Sequence, residues 1–219
     1  MEPLTTLTSV VIPLLLDNVN TDAIIPAAYM RSLTTDPAIG LFAGWRYLPD
    51  GSPDPAFVLN DSRFSKGRIL LAGENFGCGS SRENAVWALA GYGIRCVIAK
   101  GFSDIFRENA FKNGVLPVAL AAPIQAQLAT LALQGALKLT VDVAHKRLVL
   151  ASETISFELD PRRQAALLSG ADEIAETLQM SASIDAFRAA HRLHAPWLYA
   201  PMAQAANASL NQDQKSPPT

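Results

Sequence analysis

The chain has 219 residues, 49% of them hydrophobic and 17% charged, enough apolar material to bury a core as one domain with an appended segment. A net charge of −2 gives no basic field that would hold a polyanion by counterion release, which excludes nucleic acid as a main partner. The two cysteines, Cys78 and Cys96, stand apart without CxxC spacing, so neither a disulfide framework nor a metal cluster held by this chain alone is expected.

The opening stretch MEPLTTLTSVVIPLLLDNVN has no basic n-region, and its apolar run is broken by Pro13. No later run approaches the length of a membrane span, so we expect a cytoplasmic protein. Residues 8–16 read as a first strand, followed by the turn-rich DNVNTDAIIP. From Ala27 to about Asp61 the chain carries Pro37, Gly40, Gly44, Pro49, Gly51, Pro53 and Pro55, which break helix and strand ladders alike. An irregular excursion of that length is either a binding loop or a solvent-exposed wrap.

From Gly67 the pattern changes. RILLAG, IRCVIA and VLPVAL are short apolar runs, separated by helical patterns in SSRENAVWALAGYG and SDIFRENAFKNG. Strands alternating with helices of this length predict βαβ units and a parallel sheet, hence an α/β fold. In the first of these helices Ala85, Trp87, Ala88 and Leu89 are expected to face inward. Ser103 is placed to N-cap the second helix, and Gly91 or Gly93 and Gly114 stand where the chain leaves a helix. After an Ala-rich helix at about 123–134, LKLTVDVAHKRLVLA reads as a hairpin and TISFELD as a further strand. Residues 161–192 read as helices that open on Pro161, a first-turn residue, and the polar last fifteen or so residues as a disordered tail.

The stretch LAGENFGCGSSRENAVWALAGYG concentrates the chemistry. It is no dinucleotide or phosphate fingerprint, since a third glycine and a GK[ST] are both missing, and Glu83 stands where GxSxG needs its last glycine. His145, His191 and His194 all lie far downstream, which gives a Ser-His triad no support. Two readings remain. Ser80-Ser81-Arg82-Glu83 has the spacing of a capping box, with Ser80 bonding the third amide and Glu83 reaching back. Alternatively, Gly77 and Gly79 let backbone approach a ligand, free amides at the helix start favour an anion, and Arg82 offers a fork suited to a carboxylate. The second reading describes an anion site beside a hydroxyl, fit for a di- or tricarboxylate. Cys78, between the glycines, reads as a small packing residue.

The run ENFGCGSSRENAVWALAGYGIRCVIAKGFSDIFRENAFKNGVLPV resembles the 3-isopropylmalate dehydratase (isopropylmalate isomerase) small subunits of the aconitase family. The resemblance extends to NVNTDAIIPAAYM, GLFAGWRYLPDG and ADEIAETLQMSASIDAFRA, roughly residues 8–198. It implies a swivelling β/β/α domain over residues 1–198, with a substrate loop at about 27–61 and a tail at 199–219. It also implies a heteromer with a large subunit that carries a [4Fe-4S] cluster, none being bound by this chain. The implied reaction is isomerisation of 2-isopropylmalate by dehydration and rehydration, a step of leucine biosynthesis. By motif match Ser80 is the base, Ser81 and Arg82 hold substrate carboxylate, and Asp22 is an acidic residue near the site; read from the residues alone, Asp22 is equally an Asx turn. Substrate choice falls to the loop after IIP, where Tyr29 and Met30 would line an apolar pocket and Arg31 would meet a further carboxylate or face solvent. Asn84, Val86, TDPAIG and DPRRQAALLSG depart from the family pattern. They leave open a related hydro-lyase for another short hydroxy diacid, such as methylmalate/citraconate or dimethylmalate, and a non-catalytic domain in which the motif only caps a helix.

Overall fold

The computed structural model describes residues 1–30, 36–151 and 153–199. They fall into two compact units, the first running from Met1 to Asp172 and the second starting at Glu173.

The first unit is an α/β fold around a seven-stranded sheet. Four parallel strands form one half: β1 (Thr6–Leu14), β2 (Ile69–Ala72), β3 (Cys96–Ala99) and β4 (Leu116–Ala119). The other half is antiparallel: β5 (Lys138–Asp142), β6 (Arg147–Val149) and β7 (Thr154–Ser156). The spatial order is β4-β3-β2-β1-β5-β6-β7, so β1 is the hinge of the sheet, parallel to β2 on one side and antiparallel to β5 on the other. All residues of β2 and β3 are buried, as expected of parallel strands covered on both faces. On β5 burial alternates, with Leu139 and Val141 inside.

Two apolar clusters lie on opposite faces. One joins Val11, Ile69, Leu71, Ile98 and Val118 to the hairpin strands and to α5 (Ala122–Gln134) and α6 (Pro161–Ser169). The other joins Ile12, Leu70, Ala72, Val97 and Ala99 to α3 (Glu83–Tyr92) and α4 (Asp104–Lys112). The inner face of α3 is Ala85, Val86, Ala88 and Leu89; Trp87 is 39% exposed and points outward, where its indole Nε1 donates to Asn113 Oδ1 at 3.1 Å. Helical spacing explains this correction, because Ala85, Ala88 and Leu89 share a stripe that passes through Val86 rather than Trp87. Gly93 ends α3 in the left-handed region, and Ser103 Oγ caps α4 by accepting from the Phe106 amide.

The segment between β1 and β2 is more structured than its prolines suggest. It contains α1 (Thr21–Ile24), α2 (Ala43–Arg46) and three single-turn 3₁₀ segments at Ala27–Met30, Pro37–Gly40 and Val58–Asn60. Leu41, Phe42, Leu59 and Phe64 are buried in the α3 cluster, and Phe42, Trp45 and Phe57 form an aromatic group. The described part of this excursion is therefore a packed wrap.

The second unit holds α7 (Glu173–Gln179), α8 (Ser181–His194) and a 3₁₀ turn at Pro196–Tyr199. Within it Phe187 stacks on His191, whose Nδ1 lies 3.0 Å from the Tyr199 hydroxyl. The expected tail lies outside the described residues beyond Tyr199.

Candidate functional site

Open α/β sheets bind ligands beyond the carboxyl ends of their parallel strands, and the motif residues collect there. Three loops meet at that edge: the β1–α1 loop, the β2–α3 loop and the β3–α4 loop. Asn18 N–H donates to Glu74 C=O at 2.8 Å, Gly77 N–H to Val19 C=O at 2.8 Å, and Phe76 N–H to Gly101 C=O at 3.0 Å. Ser103 Oγ, besides capping α4, donates to Gly77 C=O at 2.7 Å. Backbone pairing of this kind fixes the shape of the β2–α3 loop before any ligand arrives. Beside it opens a depression of about 410 Å³ lined by Asp17, Asn18, Glu74, Asn75, Gly101 and Phe102.

Two glycines shape the loop for different reasons. Gly77 has φ +75°, and a Cβ there would stand 2.2 Å from Phe106 Cγ. Its missing side chain makes room for α4. Gly79 has φ +92° but an open surround, the nearest atom to a Cβ being Asn20 Cβ at 3.5 Å. Gly79 is exposed, so it is the position where a ligand can come close to backbone.

The capping-box expectation is corrected. α3 starts at Glu83, its N-cap is Arg82, and no side chain caps it. Glu83 does not reach back; its carboxylate accepts from Asn113 Nδ2 at 2.9 Å. Ser80 C=O instead accepts from Arg82 N–H at 2.8 Å in a tight three-residue turn. Among the described residues the Ser80 and Ser81 hydroxyls make no hydrogen bond, and the amides of Gly79, Ser80, Ser81, Glu83 and Asn84 have no partner. Ser80 and Ser81 are exposed. Two hydroxyls and a fan of unused N–H groups thus face the same edge as the positive end of α3.

Arg82 is held beside them. Its Nη1 pairs with the Asp22 carboxylate, with the Arg82 side chain 25% exposed and that of Asp22 57%. Asp22 is not in an Asx turn: Asn20 caps α1, its Oδ1 accepting from Ala23 N–H at 2.8 Å, and Asp22 sits in the first turn of α1. One edge of the guanidinium is occupied by Asp22, and its remaining donors stay available to a second carboxylate. Sequence reasoning missed Thr21. It is 2% exposed, its N–H donates to Cys78 C=O at 2.9 Å, and its Oγ1 donates to Ser80 C=O at 3.0 Å. The only available signal was its place between a helix-capping Asn and an acidic residue.

The structure therefore brings Asp22, Gly77, Gly79, Ser80, Ser81 and Arg82 together. Tyr29 and Met30 lie half-buried in the Ala27–Met30 turn against the α3 cluster, and no hydrogen bond joins them to Ser80, Ser81 or Arg82. Arg31 lies outside the described residues. Of the two thiols, Cys96 is fully buried on β3 with burial holding it protonated, and Cys78 is half-buried in the loop. No group of three or more His, Cys, Asp or Glu side chains is placed to hold a metal among the described residues. Nor is any described helix long and apolar enough to cross a membrane.

Comparison with known proteins shows the family. Residues 1–123 match the family model of the aconitase C-terminal domain. The chain is 48% identical over 200 residues to the 3-isopropylmalate dehydratase small subunit of Rhodospirillum centenum, covering 90% of this chain and 98% of the relative. It is 48% identical over 205 residues to the protein of that name from Cupriavidus necator, covering 91% and 99%. Among solved structures, 3-isopropylmalate dehydratase from Methanocaldococcus jannaschii superposes with a TM-score of 0.60 at 30% identity, over 84% of this chain and 99% of that one.

Proposed function

The chain belongs to the 3-isopropylmalate dehydratase small subunits of the aconitase family, and we propose that it completes the active site of a two-subunit hydro-lyase that converts 2-isopropylmalate to 3-isopropylmalate in leucine biosynthesis. The observation that carries this reading is the joint placement of two unengaged hydroxyls, unused backbone amides and a carboxylate-anchored guanidinium on one sheet edge.

Each group has a task in that chemistry. Dehydration removes a proton from the carbon next to a carboxylate and hydroxide from its neighbour; rehydration returns both with their positions exchanged. The remaining donors of Arg82, with Ser81 and the amide of Gly79, bind a substrate carboxylate, and Asp22 keeps the guanidinium turned toward it. Ser80 Oγ takes the proton on dehydration and gives one back on rehydration. A serine is a weak base when free, so its anionic form needs the nearby amides, the start of α3 and the Arg82 charge. The Lewis-acid part of the chemistry, at the leaving hydroxyl, falls to a [4Fe-4S] cluster on the large subunit. Tyr29 and Met30, at the start of the 27–61 segment, take the isopropyl group, and Arg31, which follows them in sequence, is a candidate for a further carboxylate. The pathway gives the complex a cytoplasmic location.

The reading is tested by anaerobic co-expression with the large subunit encoded alongside, then steady-state rates on isopropylmalate, methylmalate and dimethylmalate. Turnover of isopropylmalate by the complex, with none by either chain alone, is the expected result. Turnover by this chain alone, or a preference for a smaller diacid, would overturn it.

A further inference from the structure

The geometry points to Thr21 as a positioning residue for Ser80: a buried donor pair that turns the Gly79–Ser81 backbone so that its amides and the Ser80 hydroxyl face the substrate. This rests on the function proposed above.

Thr21 contributes two donors from one residue. Its N–H holds Cys78 C=O at 2.9 Å and its Oγ1 holds Ser80 C=O at 3.0 Å. In a trans peptide the carbonyl and the following N–H point in opposite directions. Clamping the Cys78 carbonyl against α1 therefore turns the Gly79 N–H away from α1. Clamping the Ser80 carbonyl does the same for the Ser81 N–H. These are amides without a partner among the described residues. Ser80 sits between the two clamped carbonyls, so its Cα–Cβ direction is fixed along with them.

The clamp is itself anchored. Asn20 caps α1 through Ala23 N–H at 2.8 Å, and Thr21 C=O accepts from Ile25 N–H at 3.0 Å, so Thr21 is held from both ends. Gly79 lies directly over it, a Cβ there falling 3.6 Å from Thr21 Oγ1. An exposed loop carrying two φ-positive glycines would otherwise sample several peptide orientations, only some of which present N–H groups to an anion. Thr21 also precedes Asp22, which grips Arg82, so a single turn of helix aims both the hydroxyl and the guanidinium.

The test uses the co-expressed two-subunit enzyme with Thr21→Val, which keeps the branched shape and removes the hydroxyl. Ser80 C=O retains its bond from Arg82 N–H, so the chain is expected to fold. We expect kcat to fall about 10–100-fold, the cost of a small misplacement near reacting atoms, while KM rises by a smaller factor, because the Gly79 and Ser81 amides are loosened but Arg82 still holds the carboxylate. Thr21→Ser should restore turnover. In the isolated chain, exchange of the hydrogen-bonded loop amides of Gly77 and Arg82, resolved residue by residue, should accelerate in Thr21→Val and not in Thr21→Ser. If Thr21→Val does not fold, Thr21→Cys, which keeps a weak donor, should show an intermediate loss of kcat.

Adding Thr21→Val to Ser80→Ala separates the two ideas. With the base gone only the carboxylate-binding amides are left to aim, so the second substitution should cost much less turnover than it costs the parent enzyme. Full activity in Thr21→Val beside a dead Ser80→Ala would overturn the positioning role alone. An active Ser80→Ala would overturn the base reading on which it rests. Equal losses from Thr21→Val with and without Ser80 would mark Thr21 as a general structural residue and refute the proposal.

Discussion

Replacing Gly77 and Gly79 separately by alanine isolates what each glycine does. Both have positive φ, so both alanines meet left-handed strain of about 1–2 kcal/mol. Only Gly77 adds a collision, because its new methyl would stand 2.2 Å from Phe106 Cγ on a helix whose Phe106 and Ala110 are buried in the core. Forcing an extra methyl into such a contact costs a further ~1–3 kcal/mol. Gly77→Ala should therefore destabilise by about 2–5 kcal/mol, lowering the melting temperature by roughly 4–20 °C for a chain of this size. Gly79→Ala, with 3.5 Å of clearance, should lower it by roughly 2–8 °C, yet reduce kcat/KM at least about tenfold by placing a methyl beside Ser80. Thermal unfolding of the isolated chain followed by circular dichroism, with rates of the reconstituted enzyme, reads both effects. A Gly77→Ala chain as stable as its parent, or a Gly79→Ala chain destabilised as strongly as Gly77→Ala, would refute this division of labour.

Arg82→Lys, which keeps the charge but loses the fork, should raise KM for the substrate roughly 10–100-fold, as expected for charge-assisted hydrogen bonds. Asp22→Asn should raise KM by a smaller factor, because it loosens Arg82 without removing it; steady-state kinetics at saturating and limiting substrate distinguish the two. Native thiol labelling should modify Cys78 alone, since Cys96 is fully buried and its thiol is held protonated by burial; a second label should appear only in denaturant. In the β5–β6 turn, the His145 amide, aided by the His145 and Arg147 side chains, holds the Asp142 carboxyl below its ordinary value. That contribution is present above the unfolded carboxyl pKa and is lost as pH falls through the lowered folded value. The stability gap between parent and Asp142→Asn should accordingly be constant at neutral pH and close in strong acid, as followed by melting temperature against pH.

The elements visible in the sequence were those with a local signature. β2, β3 and β4 with α3 and α4 follow from alternating apolar runs, and Ser103 and Gly93 from their capping chemistry. The union of the parallel and antiparallel halves through β1 had no such signature, because β1 pairs with β2 and β5, both far along the chain. The 27–61 stretch misled for a related reason: its glycines and prolines are visible locally, whereas the burial of Leu41, Phe42 and Leu59 depends on α3 lying over them. At the site, the hydroxyls and Arg82 were legible from spacing. The capping box was a competitor that the structure removes, since the helix begins at Glu83, three residues beyond the serine that would have capped it. Thr21 was illegible because its importance lies in two carbonyls almost sixty residues away.

The most direct test of the account is turnover of 2-isopropylmalate by the reconstituted complex carrying Ser80→Ala. Among the described residues the Ser80 hydroxyl makes no hydrogen bond and caps no helix, so the substitution should leave the melting temperature and KM nearly unchanged. Turnover should fall roughly 10²–10⁴-fold, the contribution of a positioned base. Turnover equal to that of the parent complex would show that the proton is taken by another group and would contradict the central claim.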